Sequence, residues 1–262
     1  MTELKFYGDR PPGIEGHALP GRLIVIEGTD GVGRSTHIAL LKEWLEDRGI
    51  AVLDTGLTRS ELAGPGIKRA KEGNTLDPFT LNLFYATDFW DRLERQIIPG
   101  LRAGMVVMAD RYIFSLIARA AVRGVPRRWM EALYGFALVP DCVVYLDIDV
   151  EHLLPRVLRR GFDYWESGLD YLRGPDLFNN FERYQTTLLQ EFRDIAARDD
   201  LLVVDARGTV AEVFRALQVE IQKVIETMSA DRPVSLHDRD AGEPAGSVDQ
   251  APPSRQVAER ST

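Results

Sequence analysis

The stretch that decides the fold is Leu23-Ile24-Val25-Ile26-Glu27-Gly28-Thr29-Asp30-Gly31-Val32-Gly33-Arg34-Ser35-Thr36, in which an apolar strand runs into a glycine-rich loop and then a helix. Gly28, four further residues, Gly33, a cation and Ser35 have the spacing of a P-loop. Such a loop surrounds a polyphosphate with backbone N–H groups, and it needs dihedral angles that glycine adopts at little cost. The stretch therefore predicts a phosphate-binding site formed by Gly28, Thr29, Asp30, Gly31, Val32, Gly33, Arg34, Ser35 and Thr36.

Arg34 occupies the position where a P-loop usually has lysine. A cation there is expected to lie against the β and γ phosphates, and the hydroxyl of Ser35 is expected to ligate Mg²⁺. The bulkier arginine can displace the γ-phosphate by about an ångström, and errors of that size can cost on the order of 100-fold in rate. Arg34 leaves two interpretations open. The protein is either an enzyme that transfers the phosphoryl group slowly or a protein that binds nucleotide without turning it over.

The composition limits the class of protein. The chain has 262 residues, of which 45% are hydrophobic and 27% charged, enough for one α/β domain with a full core. A net charge of -8 argues against a general nucleic-acid binder. A single cysteine, Cys142, cannot form an internal disulfide, and the sequence has no signal-like or membrane-length apolar stretch. We therefore expect a cytoplasmic protein that binds neither nucleic acid nor membrane.

Strand-like apolar runs alternate with helical patterns, which predicts a three-layer α/β/α fold with a five-stranded, mostly parallel sheet. The predicted strands are 23–27, 51–54, 105–110, 142–147 and 201–205. One helix is expected to begin at Asp77 and Pro78 and to end at Pro99. Residues 21–227 form the predicted domain, 1–20 an extension and, because the composition changes abruptly, 228–262 a disordered tail.

A charged motif, Asp110-Arg111-Tyr112, follows the third predicted strand. Ligands of open α/β sheets bind at the carboxyl ends of strands, so this motif is expected beside the phosphate loop. Asp110 is then placed to hold Mg²⁺ together with Ser35, and Arg111 to hold a second phosphate. A structural Asp-Arg ion pair is the alternative interpretation.

From about Arg22 to Ile225 the chain resembles the thymidylate kinases, which are P-loop nucleoside monophosphate kinases. The resemblance depends on the loop at 27–33, on Thr58-Arg59, on Asp110-Arg111-Tyr112 with Ser115, on Pro140-Asp141, on Arg156, Arg159 and Arg160 before Gly161, and on Asp205-Ala206.

The resemblance implies transfer of the γ-phosphoryl group of ATP, with Mg²⁺, to a pyrimidine nucleoside monophosphate. The first candidate for this acceptor is dTMP. The acceptor-binding residues that it implies are Asp30, Arg59, Tyr85, Arg111 and Ser115, with Asp30 on the sugar and both arginines on the phosphate. The implied catalytic residues are Arg34, Asp110, Arg111, Arg159 and Arg160, and the implied metal ligands are Ser35 and Asp110. A lid near 156–172 that closes over ATP, and a homodimer, are implied as well.

The departures from the family pattern lie in the acceptor pocket. Phe89 stands where the family has an arginine for the acceptor phosphate, for which Arg92, Arg59 or Arg111 could compensate. Ala118-Arg119-Ala120-Ala121 replaces the family's Ala-Tyr-Gln-Gly, whose side chains read the base. These changes leave two alternatives open: a kinase of another small acceptor, such as a nucleoside, and a catalytically silent nucleotide-binding protein.

Overall fold

The computed structural model describes residues 4–14, 19–73, 75–172 and 176–230. Five strands form one sheet in the order β2-β3-β1-β4-β5, and each neighbouring pair is parallel. The strands are β1 (Arg22–Glu27), β2 (Val52–Gly56), β3 (Val106–Asp110), β4 (Cys142–Asp147) and β5 (Leu202–Asp205). The predicted strands are thereby confirmed, and the sheet is parallel throughout.

Helices cover both faces of this sheet. They are α1 (Arg34–Glu46), α2 (Gly64–Gly73), α3 (Pro78–Arg92), α4 (Ile98–Arg102), α5 (Ile113–Val122), α6 (Arg127–Leu133), α7 (Val150–Arg160), α8 (Leu177–Arg198) and α9 (Val210–Ala230). In β1, Leu23 and Val25 belong to one large apolar cluster, and Ile24 and Ile26 belong to a second. Because successive side chains of a strand point to opposite faces, this alternation confirms the predicted three layers.

The helix that begins at Pro78 does not end where the sequence predicts. Asp77 caps it as predicted, since its side chain accepts from the N–H of Phe79 at 2.9 Å. A π-helical turn (Leu93–Ile97) then leads directly into α4, which contains Pro99. The prediction that Pro99 ends the helix is wrong, because proline falls in the first turn of α4, where its missing N–H costs little.

The chain ends of the predicted domain differ from their expected limits. Helix α9 continues through Ala230, and the rest of the predicted tail lies outside the described residues. Part of the N-terminal extension packs on the domain: Phe6 forms a single antiparallel bridge with Leu138, and the rings of Tyr7 and Phe114 meet edge to face. No helix among residues 4–14, 19–73, 75–172 and 176–230 is long and apolar enough to cross a membrane.

Sheet register determines where the predicted site residues meet. Ile26 is paired with Asp110 in the β1–β3 ladder, and the N–H of Arg111 donates to the carbonyl of Ile26 at 3.1 Å. The loop after β1 and the motif after β3 therefore lie side by side at the carboxyl edge of the sheet.

Candidate active site

The loop between β1 and α1 has free backbone donors. Gly28 has φ +142°, and a Cβ there would lie 3.1 Å from the carbonyl oxygen of Leu146. Gly33 has φ +108°, and α1 begins at the next residue. Within the described part of the chain, no acceptor receives a hydrogen bond from the N–H groups of residues 29–33. Free N–H groups next to a helix N-terminus form a site for an anion, as the glycine spacing predicts.

Arg34 is buried and is bonded to its own loop. Its Nη1 donates to the carbonyl of Gly28 at 2.5 Å and to that of Thr29, and its Nε donates to Asp110 Oδ1 at 2.7 Å. Burial lowers the pKa of the guanidinium, and the neighbouring Asp110 opposes that shift. The cation therefore links the loop to the end of β3, and its contact with phosphate stays a prediction.

Ser35 and Asp110, the two predicted metal ligands, are adjacent. The hydroxyl of Ser35 donates to Asp110 Oδ2 at 2.9 Å. A hydroxyl and a carboxylate are hard oxygen ligands, which Mg²⁺ prefers beside the phosphates of a bound nucleotide. The residues present thus fit the metal that the P-loop implies.

Asp30 lies at the centre of a group of arginines. Its carboxylate pairs with Arg111 and with Arg119, and its Oδ1 lies 3.7 Å from Arg34 Nη2. Arg111 has φ +71°, a left-handed conformation that costs a non-glycine residue energy. Backbone strain of this kind is concentrated at functional sites, and here it occurs on a predicted site residue.

A cavity of about 470 Å³ borders the phosphate loop at Asp30. Its charged lining residues are Asp30, Lys71, Asp77, Arg111, Arg119, Arg123, Glu166 and Asp170. Its aromatic lining residues are Tyr85, Trp165, Tyr171 and Tyr184. The cavity therefore combines flat rings with charged groups, and it brings together three predicted acceptor residues, Asp30, Tyr85 and Arg111.

Two predicted acceptor residues are not among those that line this cavity. Arg59 is exposed, and its Nη1 lies 2.9 Å from Asp54 Oδ1. Ser115 is fully buried and donates to Glu27 Oε2. A contact between either residue and an acceptor remains a prediction.

The predicted lid arginines lie at the end of α7. Arg159 is exposed, and Arg160 pairs with Glu166, a residue of the segment that follows. That segment contributes Trp165 and Asp170 to the cavity wall, so it contacts the predicted acceptor side.

The arginine missing at position 89 is not replaced by its neighbour on α3. Phe89 is fully buried and packs edge to face with Tyr112, with ring centroids 4.8 Å apart. Arg92 is also fully buried, and its Nε donates to Asp88 Oδ2 at 3.0 Å. Of the three residues considered for compensation, Arg111 alone belongs to the described cavity lining.

Sequence reasoning missed Glu27 as a positioning residue. Its buried carboxylate accepts from the N–H of Tyr112 at 2.8 Å and from both the N–H and the hydroxyl of Ser115. Burial raises its pKa, and these hydrogen bonds oppose the shift. The sequence did contain one indication of this role, because Glu27 is an acidic residue at the end of an otherwise apolar strand.

The sequence analysis placed Arg156 only in the segment that leads to the lid, but in the structure its side chain contacts two loops. Its guanidinium donates to the carbonyl of Val32 at 3.0 Å and to that of Ala206 at 2.8 Å. It therefore ties the phosphate loop to the turn after β5, a link between distant segments that the sequence pattern does not indicate.

A phosphate loop that shares Asp30 with a polar, aromatic cavity, on a parallel sheet, defines a P-loop phosphotransferase of the nucleoside monophosphate kinase class. Residues 26–216 match the family model described as Thymidylate kinase. The chain therefore belongs to the thymidylate kinase family.

Curated relatives agree with this assignment. The chain is 36% identical over 210 residues to "Probable thymidylate kinase 2" of Saccharolobus solfataricus, covering 79% of this chain and 96% of the relative. It is 35% identical over 149 residues to "Probable thymidylate kinase" of Pyrococcus horikoshii, covering 55% and 73%. It is 35% identical over 142 residues to "Thymidylate kinase" of Akkermansia muciniphila, covering 54% and 69%.

Proposed function

We propose that this protein transfers the γ-phosphoryl group of ATP to dTMP, forming dTDP and ADP, as a step of nucleotide biosynthesis. The observation that carries the proposal is that Asp30 belongs to the phosphate loop and also lines the cavity, next to Arg111. A donor in the loop and an acceptor in the cavity would bring their phosphates together at this point. Family membership supports the same reaction.

The residues divide between the two substrates. The free N–H groups of residues 29–33 and the cation of Arg34 would hold the donor phosphates. Arg111 would hold the acceptor phosphate, Asp30 the sugar, and Tyr85 would stack on the base. Catalysis would come from positioning and from cations beside the charge that develops on the transferred group.

Ser35 and Asp110 would hold Mg²⁺ through their oxygen atoms. The chemistry that a bound ion would supply is neutralisation of the negative charge of the donor phosphates. Asp110 also accepts from Arg34, so the same carboxylate orients the loop cation.

We further assign Arg159 and Arg160 to the donor phosphates, with the lid near 156–172 closing over ATP. The division of the chain into an N-terminal extension and one kinase domain remains our proposal, with the expected limit at 227 moved to Ala230, where α9 ends. A homodimer, a cytoplasmic location and the lack of a nucleic-acid partner complete the proposal, the last supported by the net charge of -8.

The proposal is tested with an ATP-dependent assay of ADP release across dTMP, dUMP, dCMP, dAMP, dGMP and thymidine. We expect dTMP to have the highest kcat/KM. Phosphorylation of thymidine without phosphorylation of dTMP would identify a nucleoside kinase instead. ATP binding by calorimetry without turnover of any acceptor would identify a silent nucleotide-binding protein.

A matched pair of variants connects the activity to the cavity. Arg111→Met should lower kcat/KM for dTMP on the order of 100-fold, because a charge-assisted contact to phosphate is lost. Arg102→Met, at an exposed position of α4, should leave it unchanged.

A further inference from the structure

The backbone on both sides of Arg59 is held by one carboxylate of α3. The side chain of Asp88 is fully buried. Its Oδ2 accepts from the N–H of Thr58 at 3.1 Å, and its Oδ1 accepts from the N–H of Ser60 at 3.0 Å. Both oxygens of a single side chain therefore fix the loop at the residue that lies between these two N–H groups.

The residue before Arg59 has a strained backbone conformation. Thr58 has φ +63°, in the left-handed region, where a β-branched residue is rare. Such strain persists only where the surrounding contacts outweigh it. Asp88 supplies one of these contacts, so α3 helps to determine the direction in which the Arg59 side chain leaves the loop.

A second carboxylate of α3 holds the residues that follow. Asp91 Oδ2 accepts from the hydroxyl of Ser60 at 2.6 Å. The same hydroxyl oxygen accepts from the N–H groups of Leu62 and Ala63, each at 3.1 Å. The turn after Arg59 is thus tied to the helix as well.

Stability alone does not account for the ion pair that Asp88 forms. Arg92 Nε lies 3.0 Å from Asp88 Oδ2, and both side chains are fully buried. Neither terminal nitrogen of Arg92 has a hydrogen-bond partner among the residues that the structure describes. The desolvation of a buried ion pair often offsets its attraction, so an apolar replacement of both partners is commonly neutral or stabilising. Placement of the Arg59 loop is a role that this costly pair can serve.

Arg59 lies at the carboxyl edge of the sheet, beside the candidate metal ligand Asp110. A Cβ on Gly56 would lie 3.2 Å from Arg59 Nε and equally far from the Cβ of Asp110, so glycine lets the arginine side chain pass close to the end of β3. The guanidinium pairs with Asp54 at a solvent-accessible position. Since exposed ion pairs contribute little stability, a phosphate group can displace this carboxylate.

We propose that Asp88 is a positioning residue that directs the Arg59 cation to the acceptor phosphate, through the loop that its two oxygens hold. The helix that carries Phe89 then contributes to phosphate binding indirectly, by way of a cation on the neighbouring loop. This inference rests on the proposed function and names a residue that acts on the same site through another.

The test is a double-mutant cycle in the full chain, made of Asp88→Asn, Arg59→Met and the double variant. Asparagine has the shape of aspartate but one acceptor oxygen, so one of the two loop N–H groups loses its partner. Arg59→Met should lower kcat/KM for dTMP on the order of 100-fold, and Asp88→Asn on the order of tenfold. The double variant should match Arg59→Met, because the loss caused by Asp88→Asn is exerted through Arg59.

Two further measurements separate positioning from a general loss of structure. The KM for ATP should stay at its wild-type value in all three variants. Glu94→Gln changes an exposed carboxylate in the π-helical turn after α3, and it should match the wild type throughout. If Asp88→Asn does not fold, Ser60→Ala removes the bond to Asp91 and takes its place in the same cycle with Arg59→Met.

The inference is overturned by any of three results. Wild-type kcat/KM in Arg59→Met shows that the cation does not act on the acceptor, and this result needs no variant of α3. Losses that multiply in the double variant show that Asp88 acts independently of Arg59. A KM for ATP that rises as much as that for dTMP shows a loosening of the whole site.

Failure of the proposed function gives a different result. If no acceptor is phosphorylated, the kinase proposal fails, and calorimetric affinities for dTMP decide the present inference. Weaker binding by Arg59→Met and by Asp88→Asn, with no further loss in the double variant, supports it. Equal affinities in the wild type and these variants reject it.

Discussion

Gln185 links the phosphate loop to the predicted lid. The hydroxyl of Thr29 donates to Gln185 Oε1 at 2.5 Å, and the amide nitrogen of Gln185 donates to the carbonyl of Glu166 at 2.8 Å. Gln185 is fully buried in α8, so a rigid helix holds both segments through one side chain. The position of the loop and that of the lid are therefore coupled.

Replacing Gln185 with leucine should uncouple the two segments. The change leaves the Thr29 hydroxyl without its partner, which costs about 1–3 kcal/mol of stability. We expect kcat to fall on the order of tenfold, because misplacement of a catalytic loop is costly. Thermal melting and steady-state kinetics measure both effects. Gln190→Leu, at an exposed position of the same helix, is the control, and equal kcat values for the two variants would contradict the coupling.

Arg34 should be replaceable by lysine but not by a neutral residue. Arg34→Met removes the loop cation, so kcat should fall by a factor on the order of 100 to 1,000. Arg34→Lys keeps a cation at the position where a P-loop usually has lysine, so kcat should stay within about tenfold of the wild type. It should melt at a lower temperature, because it loses contacts to the Gly28 and Thr29 carbonyls. A fully active Arg34→Met protein would show that this cation does not act in transfer.

The stability of the protein should depend on pH through Glu27. Burial raises the pKa of Glu27 in the folded chain above its ordinary value of 4.5. At a pH between 4.5 and the folded-state pKa, the folded chain therefore holds a proton that the unfolded chain has released. The free energy of unfolding should therefore fall as pH rises through this window, relative to Glu27→Gln, which does not titrate. Denaturant unfolding at several pH values measures the difference.

Glu43→Gln is the control for this titration, since Glu43 is exposed on α1. Its unfolding free energy should follow that of the wild type across the same window. A constant difference between wild type and Glu27→Gln at every pH would refute the assigned role of the buried carboxyl.

Arg156 should affect the donor site and not the acceptor site. Arg156→Met removes the bonds to the Val32 and Ala206 carbonyls, and so loosens the phosphate loop from the turn after β5. We expect the KM for ATP to rise on the order of tenfold while the KM for dTMP stays unchanged. Arg215→Met on the exposed face of α9 should change neither constant. An equal rise in both KM values would place Arg156 outside a donor-specific role.

The fold was predictable because each strand is a short apolar run followed by a turn signal. Both faces of a parallel sheet are buried, so these runs stand out from the amphipathic helices between them. The phosphate loop was predictable because its glycines are required by backbone geometry, which local sequence determines. Helix α3 shows the limit of local rules, since the π-helical turn lets the chain continue past Pro99.

The candidate site was only partly predictable, because contacts that the spacing does not reveal turn some predicted side chains away from the cavity. Arg59 turns toward Asp54, and Ser115 turns toward Glu27, 88 positions away along the chain. Nothing in the sequence marks Lys71 as a residue of the cavity, because its neighbour Trp165 comes from a segment more than 90 residues later. Pairings of this kind follow from the packed fold and not from spacing.

Asp30 serves as an internal counter-ion for Arg111 and Arg119. In our proposal, an incoming phosphate dianion would find Arg111 already oriented and would share this cation with the carboxylate. Recognition would then add one anion to a framework of charges that is already in place. Such an arrangement would keep the reorganisation energy of substrate binding small, since the charges are assembled when the chain folds.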